Sequence, residues 1–485
     1  MDSVSVILQA IVVLGAIFLG VRMGGIGLGL WGAAGTAILV FGFQLDPGSP
    51  PVDAFFIIIA VITASAAMQA AGGIDWLVKI ASRIIQANPR RITLVAPLVS
   101  FVFTVGAGTS NIYFALIPVI HETAYRNGIR PEKPLASSTV TSALGITASP
   151  VSAAMAAYLT LLPKDFTLPD ILKITIPAAI VSCIVTALVQ QRIGKELWED
   201  PEYLRRVEAG EVEVPEKIMA KLPAATRTAA IAAASARQAA LAAAGGTAVA
   251  TMDQPGAPTD DSDSVVPVVP PGGRRSALIF LAGVVVIVLM GLFESLRPTV
   301  GTGEDAAPLS MTIVIELVMF TAALIILLVG HIDPGAVLKQ PLLSAGIVAA
   351  IALFGIAWMA DTFIAGNPAI IESLGKIVTS NPLFLAVAIF LVAGLTTSQS
   401  ATTRTLVPIA LAAGMAPWLI TAMWPSLVGV WLFPANGSQI AAVSIDKSGS
   451  TKLSQVPVWH SFTIPMLVSW VSVVAAGLAI GAVLH

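Results

Sequence analysis

The stretch Thr104–Pro118, TVGAGTSNIYFALIP, is apolar at both ends and is interrupted in the middle by the glycine-rich, polar residues 106–111. Lipid offers no partner to backbone N–H and C=O groups that a helix break sets free, so such a break survives at membrane depth only inside protein or beside a water-filled cavity. A related stretch, GLTTSQSATTRTLVP, occupies Gly394–Pro408, and a shift of 290 positions places Pro118 on Pro408. The chain is therefore predicted to consist of two related halves built around two polar tips.

The composition indicates a polytopic helical membrane protein. The 485 residues are 56% hydrophobic and 11% charged, with a mean hydropathy of +0.88, whereas ordinary globular chains are about 25% charged. The net charge of −2 gives no indication of nucleic-acid binding. The single cysteine, Cys183, lies in an apolar run and is expected to be structural. Residues 1–18 lack a basic region and a small-residue cleavage site, so a retained first span is expected rather than a signal peptide.

Segments of about 20 apolar residues, the length that crosses a bilayer, recur in the same order in both halves. They lie at 3–21, 24–43, 54–72 and 169–190, and again at 276–294, 309–329, 341–360 and 460–484. Each half also contains a long interrupted segment. The first, 135–161, is broken at 146–150, and the second, 417–444, is broken at 434–438.

The two broken stretches are predicted to be re-entrant hairpins. The arms of the first, 92–106 and 110–121, are each shorter than a bilayer, and the second hairpin covers 382–415. A short piece precedes each hairpin, at 74–85 and 369–379, and the first is amphipathic and placed flat at the interface. The expected fold is all-α, with two inverted repeats that each hold about five transmembrane helices, a re-entrant hairpin and an interrupted helix. Interrupted helices at matching places of two repeats are typical of a transporter site.

The charged loops indicate the orientation. Five crossings in each half are an odd number, so the second half is expected to be inverted relative to the first. With this topology, one side receives 21 Lys and Arg residues and the side of the N-terminus receives 4. The positive-inside rule makes the basic side cytoplasmic. Both termini are then expected in the periplasm.

A linker at 191–275 separates the first membrane repeat, 1–190, from the second, 276–485. It begins with a charged segment, continues with an Ala-rich segment and ends in a Pro-, Asp- and Ser-rich tract at 253–273. The middle is expected to form an isolated helix, and the last part lacks the apolar residues needed for a core. A cytoplasmic, largely disordered linker is expected, either as a flexible tether or as a regulatory or partner-binding arm.

The two tips and the two helix breaks form the candidate substrate site. Tips that enter from opposite faces are expected to meet near the midplane, where helix N-termini, hydroxyls and amides favour a small anion such as a carboxylate. Freed carbonyls could instead hold Na⁺. A third interpretation, close helix packing by small residues, is preferred for the glycines at 25–35. The candidate substrate-binding residues are Thr109, Ser110, Asn111, Thr147, Ser149, Ser398, Ser400, Thr402, Thr403, Arg404, Asn436 and Ser438.

Arg404 lies four residues beyond Ser400 and has no acidic neighbour in the sequence. A charge deep in the bilayer costs roughly 3 kcal/mol or more, so it is expected to face a cavity or a partner. A guanidinium can bind a carboxylate through two parallel hydrogen bonds; the alternatives are snorkelling and an ion pair with Asp361. Asp361 could bind a coupling ion or proton, orient Arg404 or cap a helix. Glu316, inside a span, could be a proton site or a scaffold contact.

No enzyme motif accompanies these residues. The sequence contains no GxSxG, P-loop or Cys/His cluster, and His121-Glu122 lacks the second His of HExxH. The His121-Glu122 pair is therefore expected to lie on the surface at a helix end, without zinc. No cofactor is expected, and coupling to Na⁺ or H⁺ is left open.

The segment Gly106–Ala154 resembles the anaerobic C4-dicarboxylate uptake (Dcu) family of bacterial inner-membrane carriers, above all in NGIRPEKP and GITASPVSAA. WMADTF at 358–363 and FPANGSQIAA at 433–442 are similar to that family as well. The likeness covers both membrane halves but not the linker. The resemblance implies uptake and exchange of fumarate, malate, aspartate and succinate, typically with fumarate entering and succinate leaving.

The broader ion-transporter superfamily has inverted repeats, opposed hairpins and Ser-Asn-Thr tips, which residues 109–111 and 398–402 approximate. The second tip lacks Asn, so the resemblance does not carry over a sodium site. It also implies a homodimer in which a transport domain moves against a scaffold. The expected function is secondary transport of C4-dicarboxylates across the inner membrane. The alternatives are a carrier of the same fold for another organic anion, and a membrane sensor or regulatory protein that acts through the linker.

Overall fold

The computed structural model describes residues 3–23, 26–110, 112–163, 165–244, 269–301, 306–367, 381–433, 436–453 and 458–485. Several residues singled out in the sequence lie outside these ranges. They are Asn111, Pro434, Ala435, the short piece at 369–379 and linker residues 245–268.

In the first half, the helices follow one another in the order predicted for the segments of the sequence, including the turn of the hairpin and the break of the interrupted helix, although the first two helices are shorter than a full span by length and composition. Its helices are α1 (Ser3–Met23), α2 (Gly27–Ala37), α3 (Val52–Ala70), α4 (Gly73–Ala87), α5 (Ile92–Ala107), α6 (Ile112–Arg126), α7 (Glu132–Thr147), α8 (Ala153–Leu161) and α9 (Leu168–Gln191). A π-helical turn, Ile38–Gly42, extends α2, and a 3-10 turn, Pro89–Arg91, precedes α5. α3 and α4 form an angle of 74°, as expected where a span leads into an interfacial helix.

The first part of the linker is folded. A 3-10 turn, Leu197–Glu199, leads into α10 (Pro201–Glu208), α11 (Glu216–Met219) and α12 (Ala224–Ala244). These elements close a small core of buried apolar residues, namely Leu197, Tyr203, Val207, Val212, Ile218, Leu222 and Ala230. Residues 191–244 therefore differ from the expectation of a largely disordered linker, because apolar side chains between the charges supply enough surface to bury.

The described part of the second half also contains spans, a helical hairpin and an interrupted helix. Its helices are α13 (Gly273–Leu292), α14 (Met311–Gly330), α15 (Pro334–Leu338), α16 (Pro341–Gly366), α17 (Leu383–Thr396), α18 (Gln399–Ala412), α19 (Pro417–Met423), α20 (Gly437–Ile445) and α21 (Thr463–Leu484). A 3-10 turn, Glu294–Leu296, follows α13, and a longer one, Trp424–Trp431, extends α19. A short antiparallel pair, β1 (Thr299–Val300) and β2 (Ala307–Pro308), lies between α13 and α14.

Among the described residues, six helices are long and apolar enough to cross a membrane, or seven if the bent α3–α4 pair counts as one. As predicted, this set includes α9, α13, α14, α16 and α21. Pro89–Ala107 also belongs to it, because the 3-10 turn lengthens α5 beyond the short arm that the sequence suggested. The chain is a multi-span, almost entirely helical membrane protein.

α2 and α16 cross in direct backbone contact. A Cβ on Gly29 would overlap the Ile351 carbonyl oxygen, and a Cβ on Gly355 would overlap the carbonyl oxygen of Gly29. Gly32 faces the backbone of Gly355 in the same way. The predicted packing role is thus confirmed for Gly29 and Gly32, since side chains there would force the two helices apart.

The last helices of the two halves pack side by side. Residues 175–177 of α9 and 463–465 of α21 share the sequence Thr-Ile-Pro. Further along, the Ser182 Oγ lies 3.0 Å from the Ser469 Oγ, and Ser472 donates to Ser182 at 3.1 Å. Hydroxyls from α9 and α21 thus pair in the buried seam between the halves.

Buried charges attach the linker to loops of both membrane halves. The Arg130 guanidinium lies 2.7 Å from Asp200 of the linker and donates to the Ser450 carbonyl at 3.3 Å. His121 was expected at the surface but is only 6% exposed, and its Nε2 lies 3.4 Å from the Asp446 carboxylate. The prediction for His121 was wrong because the loop that follows α20 covers this helix end, a contact between distant parts of the sequence.

Candidate functional site

The first hairpin turns at Gly108, where the backbone has a φ of 69° and α5 ends. A Cβ there would lie 2.8 Å from the Val151 carbonyl oxygen, so both the turn and the close approach favour glycine. The Ser149 hydroxyl donates to the Val105 carbonyl at 2.8 Å, and Ser152 caps the N-terminus of α8. The first tip is thereby held against the break between α7 and α8.

The second hairpin turns at Thr397, which has a φ of 50°. Ser398 caps α18 with its hydroxyl, and the Thr396 and Thr402 hydroxyls lie 2.9 Å apart across the turn. Asn436 caps α20 at the second break. Each half therefore places a hairpin tip beside the capped N-terminus of an interrupted helix.

The two tips meet at a cavity of about 280 Å³. Gln399 of the second tip donates to the Ala143 carbonyl of α7 at 3.0 Å, which joins the two halves beside the cavity. α3 and α16 complete the wall. The polar side chains on the wall are Ser65, Thr109, Ser110, Thr397, Ser398, Gln399, Ser400, Trp431 and Asn436.

Four helix N-termini border this cavity, since Ser110 precedes α6, Ala153 begins α8, Gln399 begins α18 and Asn436 caps α20. The first N–H groups of a helix have no partner within it and carry its positive dipole end, so they attract an anion. None of the described residues on the wall has a charged side chain. The C-terminal ends of α5 and α17 also reach the cavity, and such carbonyls are the ligands of Na⁺ in broken-helix transporters.

The structure divides the predicted site residues into two groups. The first group lies on the cavity wall and consists of Thr109, Ser110, Ser398, Ser400 and Asn436. Asn111 is outside the described residues. The others are buried and do not line the wall, namely Thr147, Ser149, Thr402, Thr403, Arg404 and Ser438. The hydroxyls of Thr147, Thr402 and Thr403 donate to carbonyls of the preceding helical turn, which satisfies them inside the protein.

Asp361 lies at an exposed position near the end of α16. Its carboxylate accepts a hydrogen bond of 2.7 Å from the Ser49 amide. The neighbouring side chains bind the same loop, because Thr362 accepts from the Gly48 amide and the Trp358 indole donates to the Gly48 carbonyl. The WMADTF segment thus holds the loop between α2 and α3 in place. This contact favours a structural role for Asp361 over the binding of a coupling ion or proton.

Sequence reasoning missed several groups on the wall. Ser65 and Gly346 come from α3 and α16, which are unbroken and carry no motif. Gln399 lies within the quoted tip, but its bond across the two halves could not be inferred from spacing. Trp431 is 2% exposed, and its indole N–H has no acceptor among the described residues.

A multi-span helical protein in which two broken hairpins and two interrupted helices enclose a polar cavity has the architecture of a secondary membrane transporter. A sequence model for the anaerobic C4-dicarboxylate membrane transporters matches residues 5–485. The chain is 32% identical over 468 residues to the anaerobic C4-dicarboxylate transporter DcuB of Escherichia coli O157:H7, with 95% of each chain covered. It is 32% identical over 486 residues to the C4-dicarboxylate transporter DcuA of Wolinella succinogenes, with 99% of each covered.

The C4-dicarboxylate transporter DcuA of Escherichia coli strain K12 is 30% identical over 479 residues, which cover 98% of this chain and 99% of that protein. The chain therefore belongs to the anaerobic C4-dicarboxylate membrane transporter family, as the resemblance predicted. It is a transporter and not an enzyme.

Proposed function

We propose that the protein exchanges C4-dicarboxylates across the bacterial inner membrane, with fumarate entering as succinate leaves and with malate and aspartate as further substrates. The observation that supports this is the uncharged cavity between the two tips, bordered by four helix N-termini. Its volume of about 280 Å³ lies just below the range of roughly 300–1,000 Å³ that is usual for ligand pockets, as suits a small substrate. The names of the relatives support the same substrate class.

In this proposal each tip binds one carboxylate. Thr109 and Ser110 donate to one carboxylate beside the N-terminus of α6, and Ser398 and Ser400 donate to the other beside α18. Arg404 is buried in α18 one turn beyond Ser400. Its charge raises the positive potential at the second tip, and this effect is strong because the surroundings have a low dielectric constant.

Exchange requires the cavity to open to each side of the membrane in turn. The tips and the interrupted helices would move together against α3 and α16, which form the remaining wall. In this proposal α16 belongs to the scaffold together with α2, against which it packs closely at Gly29 and Gly355. A homodimer with periplasmic termini and a cytoplasmic linker completes the proposal.

Counterflow in proteoliposomes tests it. Labelled external fumarate is expected to accumulate when the vesicles contain succinate. Ser400→Ala is expected to raise the KM for fumarate roughly three- to tenfold, because a hydrogen bond is worth about 0.5–1.5 kcal/mol. Ser444→Ala is the matched control, since its exposed hydroxyl donates to the Ile440 carbonyl outside the cavity. Wild-type vesicles without counterflow would refute the activity, and an unchanged KM in Ser400→Ala would refute the site.

A competition panel separates this function from transport of another organic anion. Unlabelled fumarate, malate, aspartate and succinate are expected to compete, whereas a monocarboxylate and a six-carbon dicarboxylate are expected to compete much less. Stronger competition by either of these would overturn the C4 assignment while leaving the site claim intact.

A further inference from the structure

A second cavity, of about 440 Å³, lies away from the substrate site, between the beginning of α5 and the end of α9. Arg90, Arg91 and Leu94 line it from the α5 side, and Leu188 lines it from α9. Its polar wall also includes Thr93, Lys133, Gln191 and the linker residue Glu196. None of these residues takes part in the proposed substrate site.

The cavity lies at a membrane boundary. The candidate span Pro89–Ala107 begins here and the candidate span Leu168–Gln191 ends here, so both cross the same membrane surface at this point. Leu188 is 48% exposed and Leu94 is half-buried on these spans. The cavity therefore combines a polar end at the membrane surface with apolar side chains at the depth of lipid chains. The charged loops predict that this surface is cytoplasmic.

The cavity carries an excess of positive charge. Lys133 lies 2.8 Å from the Glu196 carboxylate, so these two charges balance. Arg90 and Arg91 are exposed, and within the described ranges neither forms an ion pair with a carboxylate. The cavity thus holds two uncompensated guanidinium groups, whose planar forks match the oxygens of a phosphate.

We propose that this cavity binds the phosphate headgroup of an anionic glycerophospholipid. Arg90 and Arg91 bind the phosphate, and Leu94 and Leu188 contact the beginning of the acyl chains. Basic pockets between transmembrane helices on the cytoplasmic side are suited to such headgroups. Free inorganic phosphate shares the headgroup chemistry but makes no use of the two leucines, so the two ligands can be told apart.

Native mass spectrometry of the purified full chain in detergent tests the proposal. Phosphatidylglycerol is expected to remain bound in preference to phosphatidylcholine with the same acyl chains. Arg90→Gln/Arg91→Gln is expected to lower the phosphatidylglycerol affinity roughly 10- to 30-fold, and each single variant about fivefold, because a basic residue near an anionic lipid contributes about 1 kcal/mol. Arg274→Gln/Arg275→Gln is the matched control, since this exposed pair also begins a candidate span but does not line the cavity.

Three results would overturn the assignment. Equal retention of the two lipids by the wild type would show that the headgroup is not recognised. An equal loss of phosphatidylglycerol affinity in the Arg90/Arg91 and the Arg274/Arg275 double variants would show only a general effect of surface charge. Competition by inorganic phosphate at the concentration of the lipid would identify a site for a free anion. The unfolding midpoint, followed through the reactivity of the buried Cys183, checks that each variant is folded, and the single variants give the same test if the double variant is not.

Discussion

Trp431 shows what a single residue contributes to the cavity wall. The indole N–H groups of Trp424 and Trp470 donate to the hydroxyls of Thr403 and Ser426 at 2.9 and 3.0 Å. The N–H of Trp431 has no acceptor among the described residues, although the residue lines the cavity. Leaving a buried donor unmatched costs about 1–3 kcal/mol, so we infer that the substrate supplies the acceptor.

Trp431→Phe keeps the ring and removes only this donor. The KM for fumarate is expected to rise roughly tenfold or more, because a hydrogen bond to a charged group is worth about 1.5–3 kcal/mol. Counterflow kinetics measure the change. Trp470→Phe loses a hydrogen bond outside the cavity and is expected to leave the KM unchanged. A Trp431→Phe variant with the wild-type KM would show that the indole does not bind the substrate.

The polar residue types at the tips could be predicted from the sequence, but it could not be predicted which side chains point toward the cavity. Ser398 and Ser400 lie on the wall, whereas Thr402 and Thr403, only a few positions further on, donate to the preceding turn of α18. Which face a hydroxyl occupies depends on where the helix begins, and Ser398 sets that point as the cap. A pattern of Ser and Thr alone does not contain this information.

At the scale of elements, the polar interruptions predicted both hairpins and both broken helices, because lipid does not tolerate free backbone groups. The glycines of GGIGLGLWGAAG predicted a packing face on α2, but not that α16 would lie against it. That contact joins residues more than 300 positions apart, and no local pattern encodes it. The added length of α5 was missed because its 3-10 turn contains a proline and two arginines, which resemble a loop.

Gly355→Ala tests the contact between α2 and α16. The new Cβ would overlap the Gly29 carbonyl oxygen, and backbone cannot give way as a flexible side chain would. The variant is expected to lose about 1–3 kcal/mol of stability, the usual effect of overpacking. Thermal unfolding followed through the reactivity of Cys183, which is fully buried in α9, measures the loss.

Gly15→Ala is the control for Gly355→Ala. A Cβ on Gly15 in α1 would have no neighbour within 4 Å, and alanine favours the helix more than glycine does. The thermal unfolding midpoint of Gly15→Ala is expected to stay the same as that of the wild type or to rise. Equal midpoints for the two variants would show that α2 and α16 can separate without loss.

At the scale of the whole molecule, the contacts between loops support the predicted topology. The loop at Gly48 and Ser49 binds Asp361, and the predicted topology of five crossings in each half places both on the periplasmic side. Arg130 binds both Asp200 and the Ser450 carbonyl, and the same predicted topology places all three residues on the cytoplasmic side. The inverted arrangement remains a prediction, but each of these pairs joins loops that it places together.

The position of the linker could not be predicted from composition, because it depends on a few buried charges. Asp200 is 4% exposed, 2.7 Å from the Arg130 guanidinium and 3.6 Å from the Lys452 amino group. Burial alone would raise the pKa of Asp200, but Arg130, the Glu202 amide and Lys452 outweigh burial and hold that pKa below its usual range. Asp200 is therefore ionised at neutral pH and links the linker to loops of both halves.

Asp200→Asn is expected to undock this part of the linker, because it removes the charge through which the linker binds Arg130, whose other carboxylate partner, Glu132, lies in the first membrane half. Limited trypsin digestion should then cleave faster after Lys217 and Lys221, while Glu202→Gln on the same helix should change little. Glu202 is the matched control because its carboxylate pairs with Arg205 and Arg206 at the surface and, within the described ranges, forms no buried ion pair; surface pairs contribute about 0–1 kcal/mol. Equal cleavage in the two variants would refute a role for the buried pair.

Fumarate exchange by the undocked Asp200→Asn protein then distinguishes the two roles considered for the linker. If the linker is a flexible tether, it needs no docked conformation, and the exchange rate is expected to stay the same. A regulatory arm acts through the loops that it touches, and the loop at Arg130 leads directly into α7, the interrupted helix beside the first tip. Undocking would then change the exchange rate while the KM for fumarate, which depends on the cavity wall, stays the same.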